Sequence, residues 1–215
     1  MKKNYCDITV VLDRSGSMEC LKHEVVGAFN TFVDEQKKVE GEATFSLIQF
    51  DDHYEVNYEA IDIHSVMPLD EKTYVPRGMT ALYDAVGKAI ISTGKRFNNM
   101  DESERPEKII FLIQTDGEEN ASQKHTLKKV KSMIEEQQEK YSWEFVFLGS
   151  NIDAVGVATD IGIRQDRAMK YASNAQGTSH AFMSVSNNLS SFRRGDKRDM
   201  SYEEEDLDAQ KKAGV

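Results

Sequence analysis

Five oxygen-bearing side chains lie where predicted strands and helices of the chain begin or end. Asp13, Ser15 and Ser17 follow an apolar run in the stretch VVLDRSGSM. Thr80 begins a helical pattern, and Asp116 follows the most apolar run of the sequence. Two carboxylates and three hydroxyls form a set of hard oxygen ligands, which suits Mg²⁺, or Mn²⁺ in its place, better than Zn²⁺ or copper.

The spacing around the two serines has a geometric meaning, because a loop that curls round an ion can point alternate side chains inward. Gly16 would provide a positive φ for such a turn, and Arg14 would face elsewhere. A structural interpretation competes with this one, since Ser15, Ser17 or Thr80 could cap a helix and Asp-Gly is a common turn. The coincidence of three such groups at one predicted sheet edge favours a shared site.

Apolar runs alternate with helical patterns, which predicts an open α/β sheet with helices on both faces. Strands are predicted over residues 6–12, 43–50, 54–61, 107–115, 143–150 and 167–172. Helices are predicted over residues 18–39, 80–97, 122–141, 153–162 and 177–192. Only residues 51–53 separate the second and third strands, which predicts an antiparallel hairpin. Ligands of such sheets bind beyond the carboxyl ends of the strands, where the five side chains fall.

Three motifs together resemble the metal-ion-dependent adhesion site of the von Willebrand factor A (vWA) domain family. They read DRSGS at 13–17, GMTAL at 78–82 and TDGEEN at 115–120. The order and spacing of the predicted elements over about residues 5–193 are also similar to that family. Met79 departs from the pattern, because many members have a second glycine there, but this position supplies no ligand.

The resemblance implies a Rossmann-like, doubly wound and mostly parallel six-stranded sheet of order 3-2-1-4-5-6, with one antiparallel edge strand. It implies a Mg²⁺ site with Ser15, Ser17 and Thr80 as direct ligands, whereas Asp13 and Asp116 often act through water or as anchors. It also implies that an acidic side chain of a partner protein fills one open coordination position. Intracellular members of the family often work beside AAA-type ATPases or in larger assemblies, so we expect an adaptor or regulator.

Charge and composition exclude some of the remaining classes of function. A net charge of −10 argues against sequence-independent nucleic-acid binding and against docking on an anionic membrane. The first residues lack the apolar core of a signal peptide, no run is long enough to span a membrane, and we expect a cytoplasmic protein. Cys6 and Cys20 lack CxxC spacing and are expected to be free thiols. We predict one domain over residues 1–193 and a charged, flexible tail over residues 194–215.

Two other functions remain open at this point. One is a metal-dependent phosphatase or nuclease that uses Asp13 and Asp116, and the other is a vWA domain with a vestigial site that binds partners elsewhere. Hydrolases usually need more carboxylates or a nucleophile with a base, so we predict no enzymatic activity. A second metal site at residues 51–53 is the weaker interpretation of an acidic hairpin loop. Glu118 and Glu119 are expected to favour the N-terminus of the helix that follows them.

Overall fold

A computed structural model describes residues 1–215 as a six-stranded sheet between two layers of helices. The strands are β1 Lys2–Asp13, β2 Glu42–Phe50, β3 Tyr54–Asp62, β4 Pro106–Thr115, β5 Glu144–Gly149 and β6 Ala168–Lys170. The helices are α1 Lys22–Lys37, α2 Leu82–Asn98, α3 Leu127–Tyr141, α4 Ala154–Asp160, α5 Ala175–Arg194 and α6 Glu204–Ala213. None of these helices combines the length and the apolarity that crossing a membrane requires.

The strand order is β3-β2-β1-β4-β5-β6, with β3 antiparallel to β2 and every other pair parallel. This confirms the predicted fold class and the predicted hairpin. In the register, Asp13 pairs with Phe50, and Thr115 pairs with Gly149. The carboxyl ends of the central strands therefore meet at one edge of the sheet, which positions the loops that follow them side by side.

Helices cover both faces of the sheet, and each face has its own apolar core. On one face, α1 and α5 pack Phe29 and Phe182 against β1 and its neighbours. On the other face, α2, α3 and α4 contribute Val86, Val130 and Ala158 to the second core. Because both faces are covered, the central strands are almost continuously apolar rather than alternating.

Two helices begin later than their apolar patterns predict. A short 3-10 turn over Gly16–Leu21 precedes α1, which ends at Lys37. Helix α3 begins after Thr126, because the Asp84 carboxylate accepts the backbone N–H groups of residues 123–125 and holds this segment in a loop. Long-range hydrogen bonds thus set the start of α3, although the local pattern permits a longer helix.

Part of the segment after residue 193 packs against the rest of the molecule and contains α6, a helix that the sequence analysis did not predict. Met200 and Tyr202 are buried in the core on the α1 and α5 side. Gln210 of α6 is buried as well, and its amide donates to the Gly177 carbonyl at 2.9 Å and accepts from Ala172 N at 3.3 Å. The proposed domain boundary at residue 193 stays a prediction, but these contacts attach the segment to the sheet layer.

Candidate metal centre

Three hydroxyls converge on one point beside Gly117. A Cβ atom placed on Gly117 would lie 2.8 Å from Thr80 Oγ1, 3.5 Å from Ser17 Oγ and 3.7 Å from Ser15 Oγ. The two serine hydroxyls are themselves 3.1 Å apart. The absence of a side chain at Gly117 therefore leaves an open cradle with walls of hydroxyl oxygen.

Asp116, the residue before Gly117, has one paired and one unpaired carboxylate oxygen. The Ser17 hydroxyl donates to Asp116 Oδ1 at 2.6 Å. Asp116 Oδ2 is buried and has no hydrogen-bond partner. Burial raises the pKa of Asp116, although the bond from Ser17 acts in the opposite direction. A buried carboxylate oxygen without a partner is unfavourable, and a cation would relieve this cost.

Asp13 has both carboxylate oxygens engaged by the protein. Asp13 Oδ1 accepts the backbone N–H of Ser15 at 2.6 Å, and Oδ2 accepts the hydroxyl of Thr115. Burial raises the pKa of Asp13 to about 6, against the opposing hydrogen bonds from Thr115 and Ser15. These contacts make Asp13 an anchor for the loop after β1, whereas Asp116 keeps a free oxygen.

None of the three hydroxyls caps a helix. Ser15 occupies the N-cap position of the 3-10 turn, but its side chain makes no capping hydrogen bond. The corresponding positions before α1 and α2 are Leu21 and Ala81, which also make none. The capping interpretation of Ser15, Ser17 and Thr80 is therefore wrong in this structure, and their hydroxyls are left to the shared site.

The positive φ of this region belongs to Gly78 and not to Gly16. Gly78 has a φ of 67°, whereas Gly16 has no positive φ and begins the 3-10 turn. The backbone N–H of Gly16 donates to the Gly78 carbonyl at 3.2 Å, which joins the two loops. Met79 follows Gly78 with 54% of its surface exposed, so the departure from the family pattern leaves the cradle unchanged.

Asn120 is a supporting residue to which the sequence analysis assigned no role. Its side-chain oxygen accepts the backbone N–H of Thr80 at 2.9 Å, and its own N–H donates to the Thr80 carbonyl at 3.0 Å. Asn120 lies in the TDGEEN motif, and this position is the sequence feature that could have indicated its supporting role. Glu119 accepts the N–H of Tyr83 at 2.9 Å, so it stabilises the start of α2 rather than the helix that follows it.

The acidic hairpin loop brings together a carboxylate pair and a histidine whose ligand atoms lie within 4.8 Å of one another. Asp51 Oδ2 accepts from Arg14 Nε at 3.1 Å and from Arg77 Nε at 3.0 Å. Burial alone would raise the pKa of Asp51, but the His53 N–H and the two arginines outweigh it and lower the pKa. The buried carboxylate is thus already neutralised by two guanidinium groups, and Arg14 faces away from the cradle as predicted.

No protein-family model and no curated protein matches the chain. Solved structures do match it. Two structures of proximal thread matrix protein 1 from the mussel byssus, one with zinc in its MIDAS motif, have TM-scores of 0.61 at 17% identity. They cover 88% of this chain and 47% of their own. A von Willebrand factor type A structure from Catenulispora acidiphila has a TM-score of 0.56 at 14% identity, over 87% of this chain and 42% of its own.

A further match is the ArnB paralogue VWA2 from Sulfolobus acidocaldarius, with a TM-score of 0.54 at 15% identity, over 86% of this chain and 45% of that chain. The chain has the vWA fold. It spans less than half the length of each of these structures. At this level of identity the likeness concerns the fold, so the interpretation of the vWA site depends on this chain's own residues.

The five predicted site residues lie together at the carboxyl edge of this vWA sheet. Three hydroxyls surround one open point, one carboxylate oxygen is buried without a partner, and the second carboxylate anchors the loop. This arrangement fits a hard divalent cation, which takes oxygen ligands and retains room for water or an external anion. The assignment of Asp13, Ser15, Ser17, Thr80 and Asp116 as metal ligands stays a prediction.

Proposed function

We propose that this vWA domain is a Mg²⁺-dependent binding module that captures an acidic side chain of a partner protein. The convergence of three hydroxyls on the open point beside Gly117, with an unpaired oxygen on the adjacent residue Asp116, carries this proposal. Ser15, Ser17 and Thr80 would hold the ion directly, and Asp13 would keep the first loop in place. The bound ion supplies positive charge that three neutral hydroxyls only partly offset, which favours an anion from outside.

We also propose that the domain has no enzymatic activity and acts as an adaptor or regulator in a larger cytoplasmic assembly, such as one that contains an AAA-type ATPase. The hydrogen bonds at the site support a non-enzymatic role, because no histidine or lysine bonds to any of the five predicted site residues. A hydrolase would need such a base, or a second ion with more carboxylates. The net charge of −10 supports a protein partner over nucleic acid or a membrane surface.

Metal binding tests the first half of the proposal. Calorimetry with Mg²⁺, Mn²⁺ and Zn²⁺ should detect binding to the native chain, and Thr80→Val should weaken it by at least about tenfold, the loss that even an indirect partner of a metal causes. Thr31→Val is the matched control, because Thr31 is exposed on α1 and its hydroxyl bonds only within that helix. If only Zn²⁺ binds, the assignment to Mg²⁺ is wrong, and if no ion binds at millimolar concentration, the site is vestigial.

Capture of carboxylates tests the second half. Peptides with a fixed central aspartate and random neighbours should be retained by the domain in Mg²⁺ and released by EDTA. The same peptides with a central asparagine, which cannot supply an anion, should not be retained. Equal retention of the two libraries would contradict the proposal. Metal-dependent hydrolysis of a phosphoester that disappears in Asp13→Ala would instead establish the hydrolase alternative.

A further inference from the structure

A surface pocket of about 470 Å³ adjoins the candidate metal centre. It lies between the β2–β3 loop, the start of α2 and the segment that precedes α3. Ala81 in its wall directly follows Thr80. Asp52 at its edge approaches the neighbouring loop so closely that a Cβ on Gly78 would lie 2.3 Å from Asp52 Oδ1. A polypeptide seated at the metal would therefore reach the pocket with the residues next to its coordinating side chain.

One part of the pocket wall is apolar. Tyr54, Ala81, Ala85 and Ile91 contribute to it. Ile91 keeps 40% of its surface exposed, which is unusual for an isoleucine in a helix that otherwise buries its apolar face. This wall can cover the methylene groups of an incoming side chain, since burial of apolar surface is favourable.

Two unpaired ammonium groups flank the pocket. Lys88 and Lys124 are both exposed, and neither has a carboxylate within salt-bridge distance among the ion pairs of the chain. Lys88 Nζ lies 4.0 Å from the centroid of the Tyr54 ring, which places its charge over the apolar wall. In a chain of net charge −10, these two groups form a local positive rim.

Asp52 and Asp84 also line the pocket, and each has a partner within the protein. Asp84 accepts the backbone N–H groups of residues 123–125 at distances between 2.7 and 2.9 Å. Burial opposes ionisation of Asp84, but these N–H groups outweigh it and lower the pKa. Asp52 Oδ1 lies 3.2 Å from His53 Nδ1. The charge of Asp84 is thus directed into the loop before α3, which leaves the lysines to face an external anion.

We propose that this lysine-flanked pocket binds a second acidic side chain of the same partner segment. This inference rests on the proposed function, because the first acidic side chain is the one at the metal. The second carboxylate pairs with Lys88 and Lys124, and its methylene groups pack on the apolar wall. The domain then recognises two acidic residues a few positions apart rather than a single carboxylate. Charge pairs of this exposed kind contribute mainly to specificity and to the rate of association.

Selection from a peptide library tests the inference. The probe is a library with a fixed central aspartate and four random residues on each side, selected in Mg²⁺ on the native chain. We expect aspartate or glutamate to be enriched at one flanking position. The double variant Lys88→Glu and Lys124→Glu should reverse this preference to lysine or arginine. A peptide from the native selection should bind the double variant about tenfold more weakly, because two exposed attractive charge pairs become repulsive.

Lys95→Glu is the matched control, because Lys95 is exposed on the same helix, has no ion pair and lies outside the pocket. The inference is overturned if the native chain enriches no flanking acid, if the charge-reversed variant keeps the same preference, or if Lys95→Glu shifts the preference equally. Failure of the proposed function gives a different result, because the central-aspartate library would then show no advantage over the central-asparagine library in Mg²⁺.

Discussion

At the scale of single residues, Gly117 determines whether the hydroxyl cradle is open. A methyl group at this position would lie 2.8 Å from Thr80 Oγ1, inside the distance that carbon and oxygen normally keep. We therefore predict that Gly117→Ala lowers the affinity for Mg²⁺ by at least about tenfold, as loss of metal-site geometry does. Calorimetry measures the affinity, and circular dichroism checks the fold.

Gly94→Ala is the control for this prediction. A Cβ on Gly94 would meet nothing within 4 Å, and the residue lies inside α2. This change should leave metal binding unaltered and stabilise the helix by up to about 1 kcal/mol. Unchanged Mg²⁺ affinity in Gly117→Ala would show that the ion binds somewhere other than the cradle.

Asn120 positions Thr80 through hydrogen bonds with its backbone. We predict that Asn120→Leu, which removes the acceptor for Thr80 N, weakens Mg²⁺ binding by roughly 10- to 100-fold. Asn120→Asp keeps an oxygen acceptor in the same place and should restore most of the affinity. Titration with Mn²⁺ in place of Mg²⁺, followed by electron paramagnetic resonance of the ion, provides the measurement. Equal losses in both variants would indicate that the acceptor is not what positions Thr80.

At the scale of elements, Asp51 joins the loop after β1 to the loop before α2. It accepts from Arg14 and Arg77, and Arg14 also reaches Glu55 on β3 at 2.7 Å. We predict that Asp51→Asn destabilises the fold by about 3 kcal/mol at neutral pH, because it leaves a buried guanidinium partly unpaired. Urea unfolding measures the loss, and Asp101→Asn, an exposed aspartate without a side-chain capping bond, is the control.

The pH dependence of the same variant follows from the lowered pKa of Asp51. A carboxyl whose pKa falls on folding contributes stability that is complete above its ordinary value of 3.8 and is lost as the pH falls through the folded value. The difference in unfolding free energy between the native chain and Asp51→Asn should therefore be constant at neutral pH and shrink below about pH 4. A difference that does not shrink as the pH falls from about 4 toward 2 would contradict the role assigned to the ionised carboxylate.

At the scale of the whole molecule, α6 attaches the C-terminal segment to the first turn of α5 and to the loop that precedes it. Gln210 makes this connection through the Gly177 carbonyl and the Ala172 N–H. We predict that Gln210→Ala destabilises the protein by about 1–3 kcal/mol, because it leaves the buried Ala172 N–H without its acceptor. Hydrogen exchange should accelerate around residues 172–177. Leu207→Ala, on the exposed side of α6, should change the free energy of unfolding by no more than about 0.5 kcal/mol and leave the hydrogen exchange unaltered.

The amino-acid sequence alone predicts the alternation of strands and helices, the hairpin and the three motifs at the sheet edge. These features are local, since periodicity reports which faces are buried and the motifs occupy a few consecutive residues. The order of the strands came from the family resemblance, and the register of β1 against its neighbours agrees with it.

Whether the serines and Thr80 cap helices or line a cradle depends on the three-dimensional packing of distant segments. Serine, threonine and aspartate serve both purposes, and the choice depends on partners distant in the chain. Ser17 bonds to Asp116 across 99 residues, and Thr80 is held by Asn120 across 40. The same reason explains the positive φ at Gly78, the burial of Gln210 and the pocket beside Thr80. Each depends on which segments meet, and that is set by packing across the sheet rather than by the local pattern.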